Sequence, residues 1–109
     1  MPHLEFPSAS EWLDAVKRRV GDPEVVDGLA HRGMSAATVV EIARIEAEHT
    51  GPTGAVTLVT DELARVAGVP PAMARRARVA LIAMGAQVFI AVPGASHRPA
   101  RQLQLPVRR

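Results

Sequence analysis

The side chains best equipped for chemistry in this chain are its arginines, and their placement is lopsided. From Leu63 to Arg109 there are eight arginines and neither Asp nor Glu, whereas up to Glu62 five basic residues face eleven acidic ones. The two parts carry −6 and +8, a separation that the overall +2 conceals. A surface cleared of carboxylates approaches a polyanion without like-charge repulsion, so nucleic acid is the first partner this pattern implies. A GC-rich coding bias accounts for the single lysine, Lys17, and for the lack of Asn and Tyr. It does not account for the missing acids, because the first part of the chain uses Asp and Glu freely.

The other reactive side chains lack the spacing that catalysis needs. His3, His31, His49 and His97 are scattered, with neither an HExxH pair nor a cysteine to complete a metal site. Gly51 and Gly54 flank a turn and are not followed by the lysine of a phosphate-binding loop. Ser96, in Gly-Ala-Ser-His, lacks the second glycine of a nucleophile elbow, and no carboxylate follows to orient a histidine. Asp61 and Glu62 are accounted for by the dipole at a helix N-terminus. The expectation is a protein without enzymatic activity, metal, cofactor or small-molecule substrate.

These groups must be positioned by a small structure. A chain of 109 residues has room for one domain with an extension, and its 48% hydrophobic content, mostly Ala and Val, implies closely approaching helices around a tight core. Met1–Phe6 has neither the basic nor the apolar region of a signal peptide, and no apolar run reaches the roughly 18 residues of a membrane span. A soluble, cytoplasmic protein with no membrane partner is expected.

Start and stop signals delimit the elements. Ser8 and Glu11 have capping-box spacing ahead of a helix ending at Gly21; Asp22-Pro23 opens a second, closed by Gly33; Ser35 caps a third that ends near His49. After the Gly51–Gly54 turn, Val56 to Val59 reads as a short strand whose partner lies later in the chain. Thr60 is expected to cap a helix from Asp61 to Ala67 closed by Gly68, and Pro71 starts another that runs to Met84 and stops at Gly85. With Ala74, Ala77, Leu81 and Met84 inward, Ala72, Arg75, Arg76, Val79 and Ala83 point outward. Gln87 to Val92 and Arg101 to Leu105 then read as a β-hairpin whose connection, Pro93 to Pro99, is basic.

Two helices joined by a Gly-Val-Pro corner and followed by a hairpin resemble a winged helix-turn-helix. The stretch from Thr57 to Val92 is similar to such modules in bacterial transcriptional regulators and in actinobacterial plasmid and phage replication initiators. Leu63, Ala64, Ala67, Gly68 and Val69 match the first element of that pattern, Arg75 to Arg78 the arginine-rich second helix, and Met84-Gly85 its end. The resemblance implies a mainly α fold with a small antiparallel β-wing: an N-terminal helical extension over 1–33, the winged domain over 34–106 and a tail over 107–109. It also implies binding of double-stranded DNA by occupancy, in replication initiation or transcription regulation, through Ala72, Arg75, Arg76, Arg78 and Val79 on the helix and Ser96, His97, Arg98 and Arg101 on the wing.

The sequence departs from the pattern where the recognition helix begins. Pro70, Pro71, Ala72 and Met73 stand where relatives carry base-reading polar side chains, so the alternative is a winged-helix module for protein interaction or oligomerisation without base readout. Trp12 is the expected anchor of the acidic N-terminal part, which is placed away from DNA. A homodimer is expected to form through the Val79–Ile82 edge or the helix bearing Trp12.

Overall fold

The computed structural model describes residues 6–90 and 100–106. The chain forms, in order, α1 (Ala9–Arg19), α2 (Pro23–His31), α3 (Ala36–His49), β1 (Ala55–Val56), α4 (Thr60–Ala67), α5 (Pro71–Ala83), β2 (Gln87–Ile90) and β3 (Ala100–Leu103). Two helix starts follow their sequence signals closely. The Ser8 hydroxyl accepts from the Glu11 amide at 3.1 Å, and the Ser35 hydroxyl from the Thr38 amide at 3.1 Å, each satisfying a donor that the helix itself leaves free. At α2 the N-cap residue Asp22 makes no side-chain cap bond; its carboxylate meets Arg19 at 2.6 Å instead.

α4 differs from expectation by one residue, for a reason located elsewhere in the fold. Its N-cap is Val59, and Thr60 is already helical. The Thr60 hydroxyl is turned to another use, accepting from the Arg78 guanidinium at 3.1 Å. The helix closes at Gly68, whose φ of 70° is left-handed and costs little without a Cβ.

The strands form one antiparallel sheet in the order β1-β3-β2. The partner required by β1 is β3, with Ala55 opposite Gln102 and Val56 opposite Arg101. β1 stops at Val56, two residues long, where the sequence suggested a strand to Val59. Gly54 makes the approach possible: with φ at 89°, a Cβ there would lie 2.6 Å from the Gln102 amide nitrogen and 2.6 Å from the Phe6 ring. The hairpin pairs Gln87 with Leu103 and Phe89 with Arg101. The expected extension of β2 to Val92 lies outside the described residues.

A single core runs through all of this. Trp12 and Val16 of α1, Leu29 of α2 and Ile42 of α3 share one buried cluster with Leu63, Leu81 and Leu103. The N-terminal helices are therefore part of the core. Trp12 is fully buried, and its indole N–H donates to the carbonyls of Ala86 and Gln104, both at 3.0 Å, which ties α1 to the two ends of the hairpin. No helix among the described residues is long and apolar enough to cross a membrane.

Candidate nucleic-acid interface

α5 begins at Pro71 because proline has no amide proton to waste in the first turn, and its alternating small and basic residues give it two unlike faces. Ala74, Ala77, Leu81 and Met84 are buried, as the spacing requires. Ala72, Arg75, Arg76, Val79 and Ala83 are exposed. Arg75 and Arg76 have no ion-pair or hydrogen-bond partner among the described residues. With Arg32 from the end of α2 and the half-exposed Val79, they line a shallow groove of about 240 Å³. Arg32 was not among the sequence candidates, because it belongs to the acidic part of the chain. The acidic region is thus not wholly turned away from the basic helix.

Arg78 does not belong to this outward set. It is 2% exposed and makes four hydrogen bonds inside the protein. Two go to the Glu46 carboxylate, at 2.6 and 3.3 Å, one to Thr60 and one to the Leu58 carbonyl at 2.6 Å. The reason is its spacing: Arg78 lies four residues after Ala74 and three before Leu81, on the flank of the buried stripe. Glu46, itself fully buried on α3, is the counter-charge. A guanidinium bound in this way holds α3, α4 and α5 together and is not available to a phosphate.

The network continues into the hairpin. The Gln87 side-chain amide donates to Glu46, and its carbonyl accepts from Arg101 at 2.9 Å. Arg101 then stacks over the Phe89 ring, 4.4 Å from its centroid. Burial lowers the pKa of Arg101 from its ordinary value, the Arg78 charge lowers it further, and Glu46 opposes both. The guanidinium stays protonated, since even a lowered arginine pKa lies far above neutrality. Arg101 therefore stands partly inside the fold, half-buried, and partly on its surface.

The remaining expectations divide cleanly. Ser96, His97 and Arg98 lie outside the described residues, as does the whole Pro93 to Pro99 connection. Trp12 offers no contact for a dimer, since burial beneath the hairpin ends leaves nothing of it at the surface. Val79 is 46% exposed and Ile82 partly so, while Phe89 on β2 is 62% exposed. Among the described residues no group of three or more His, Asp or Glu is placed to hold a metal ion.

Comparison of the chain with protein-family models, with curated proteins and with solved structures finds no match in any of the three.

Proposed function

We propose that the protein is a winged helix-turn-helix that binds double-stranded DNA by occupancy, with α5 facing the duplex and the β2–β3 hairpin beside it. The observation that carries this reading is the outer face of α5. Arg75 and Arg76 are exposed, unpaired among the described residues and joined by Arg32, and no carboxylate is present in α5 or the strands that follow it. Such a face gains by displacing counterions from a phosphate backbone. The element order supports it: α3, a short strand, α4, a tight corner, α5 and a hairpin whose second strand lies at the centre of the sheet. Ala72 and Val79 offer apolar contact to thymine methyls, and Arg75 and Arg76 are the groups suited to guanine. Replication initiation or transcription regulation is the setting we propose for such binding.

A titration of labelled duplex DNA followed by anisotropy tests the reading. Saturable binding by the intact protein, lost in Arg75→Ala/Arg76→Ala while the fold is retained, is the expected result. Undiminished binding by that variant overturns the assignment of α5.

One observation favours a second reading, a protein-interaction or homodimerisation module. Val79 is 46% exposed in the arginine-lined groove, where an apolar side chain from an acidic segment would gain from burial. Sedimentation of the free protein discriminates: dimers dissociated by Val79→Glu support this second reading, and monomers remove its homodimeric form.

A further inference from the structure

Phe89 is the most exposed large hydrophobic residue among the described residues, at 62%, in a chain with only three aromatic side chains. It stands directly across the hairpin from Arg101, whose guanidinium lies over the ring at 4.4 Å. One face of the ring is thus covered by a cation, and much of its remaining surface is open to solvent. The pair is also held rigidly. Arg101 is tied through Gln87 to the buried Glu46, and Glu46 is tied to Arg78.

The charge along this chain of contacts does not balance. The one carboxylate here, Glu46, is bonded by the Arg78 guanidinium, and Arg101 is left with a neutral amide as its only hydrogen-bond partner among the described residues. A half-buried cation with no carboxylate bonded to it, beside an exposed flat ring, calls for a ligand that brings an anion and a planar apolar surface together. An unpaired nucleotide has both, since its base stacks on an aromatic ring and its phosphate meets an arginine. An intact duplex has the phosphate but keeps its base faces stacked against one another.

We infer that Phe89 and Arg101 form a platform for an unpaired nucleotide, with the base stacked on the open face of Phe89 and the adjoining phosphate on Arg101. This rests on the proposal that the protein binds nucleic acid, and it adds a preference for single-stranded or locally opened DNA. The platform is tested at Phe89 and the duplex-facing side of α5 at Arg75 and Arg76, so the two can fail separately.

The test uses labelled oligothymidine, an intact duplex, and the same duplex with an internal unpaired bubble. Phe89→Leu is expected to weaken binding of oligothymidine and of the bubble by roughly tenfold, as loss of one stacked base should, and to leave the intact duplex unchanged. Arg75→Ala/Arg76→Ala should do the reverse, impairing the duplex most. Phe89→Trp provides a direct report, because Trp12 is buried: oligothymidine should quench the added indole at saturation. Binding of oligothymidine without binding of duplex would keep the platform and overturn the duplex reading. No binding of oligothymidine, an unchanged affinity in Phe89→Leu, or no quenching in Phe89→Trp overturns the platform.

Discussion

The two faces of α5 carry the same kind of side chain in opposite circumstances. On the inner flank Arg78 is buried against Glu46 and its side chain makes four hydrogen bonds, while on the outer face the side chains of Arg75 and Arg76, three and two residues earlier, make none among the described residues. The difference shows what an arginine costs in each place. A buried guanidinium must recover its lost hydration from internal partners, so it holds three helices in register and is committed to them. An exposed one keeps its hydration and remains free to exchange water and counterions for phosphate.

The sharpest way to break this contrast is to remove one partner of the buried pair. Glu46→Ala or Arg78→Ala leaves a charge in the core without its counterpart and is expected to lower stability by about 3–5 kcal/mol in denaturant unfolding. Replacing both, as in Glu46→Leu/Arg78→Met, should cost much less than either single change. If Arg78→Ala unfolds with the wild-type midpoint, the inner arginine is not a structural tie.

A smaller effect is expected at Thr60. Thr60→Val keeps the shape of the side chain but removes the acceptor for Arg78, at a cost of about 1.5 kcal/mol, near the lower end for a bond to a charged group. Because Thr60 is not the N-cap, Thr60→Ser should preserve stability better than Thr60→Val, the hydroxyl being the part that matters. Equal stability of the two variants would show that the hydroxyl contributes nothing.

The outer face should be nearly silent in the same assay. Arg75→Ala/Arg76→Ala is expected to stay within about 0.5 kcal/mol of wild type, as for surface substitutions without partners. A large loss would mean that these arginines are structural as well.

The smallest effect belongs to the solvent-exposed ion pairs of α3. Arg44 reaches Glu41 and Glu48, both at 2.6 Å, and the hydrogen bond to Arg44 holds the Glu41 carboxyl below its ordinary pKa of 4.5. A carboxylate lowered in this way stabilises the fold above its unfolded pKa, and the contribution disappears as the pH falls through the lowered folded value. Stability measured from neutral to acid pH should therefore fall slightly less steeply in Glu41→Gln than in wild type. Identical profiles would mean that this exposed pair contributes nothing measurable, as many such pairs do.

Much of this was legible in the chain. Ser8, Ser35, Gly68 and Gly85 marked helix ends because capping and left-handed glycine chemistry act over a few neighbouring residues. The outward set on α5 followed from helical spacing alone. Arg78 was misread because its residue type suggested solvent while its position, between Ala74 and Leu81, implied burial. Glu46 carried the same signal, seven residues after Val39 and three after Ala43, on the buried stripe of α3. An acid and a base each set in an apolar stripe are the mark of a buried pair, but only the fold brings residues 46 and 78 together. The proximity of Arg32 to Arg75, and of Phe89 to Arg101, also depended on packing and register between distant segments. No local pattern records either.

The most direct test of the central claim, that the outer face of α5 meets duplex DNA while its inner arginine does not, is the salt dependence of binding. With Arg32, Arg75, Arg76 and Arg101 near phosphates, the slope of log affinity against log salt is expected to be about −3 to −4 for the wild type. It should shrink to about −1.5 to −2 in Arg75→Ala/Arg76→Ala, two phosphate contacts fewer. A slope unchanged by the double substitution would contradict the account.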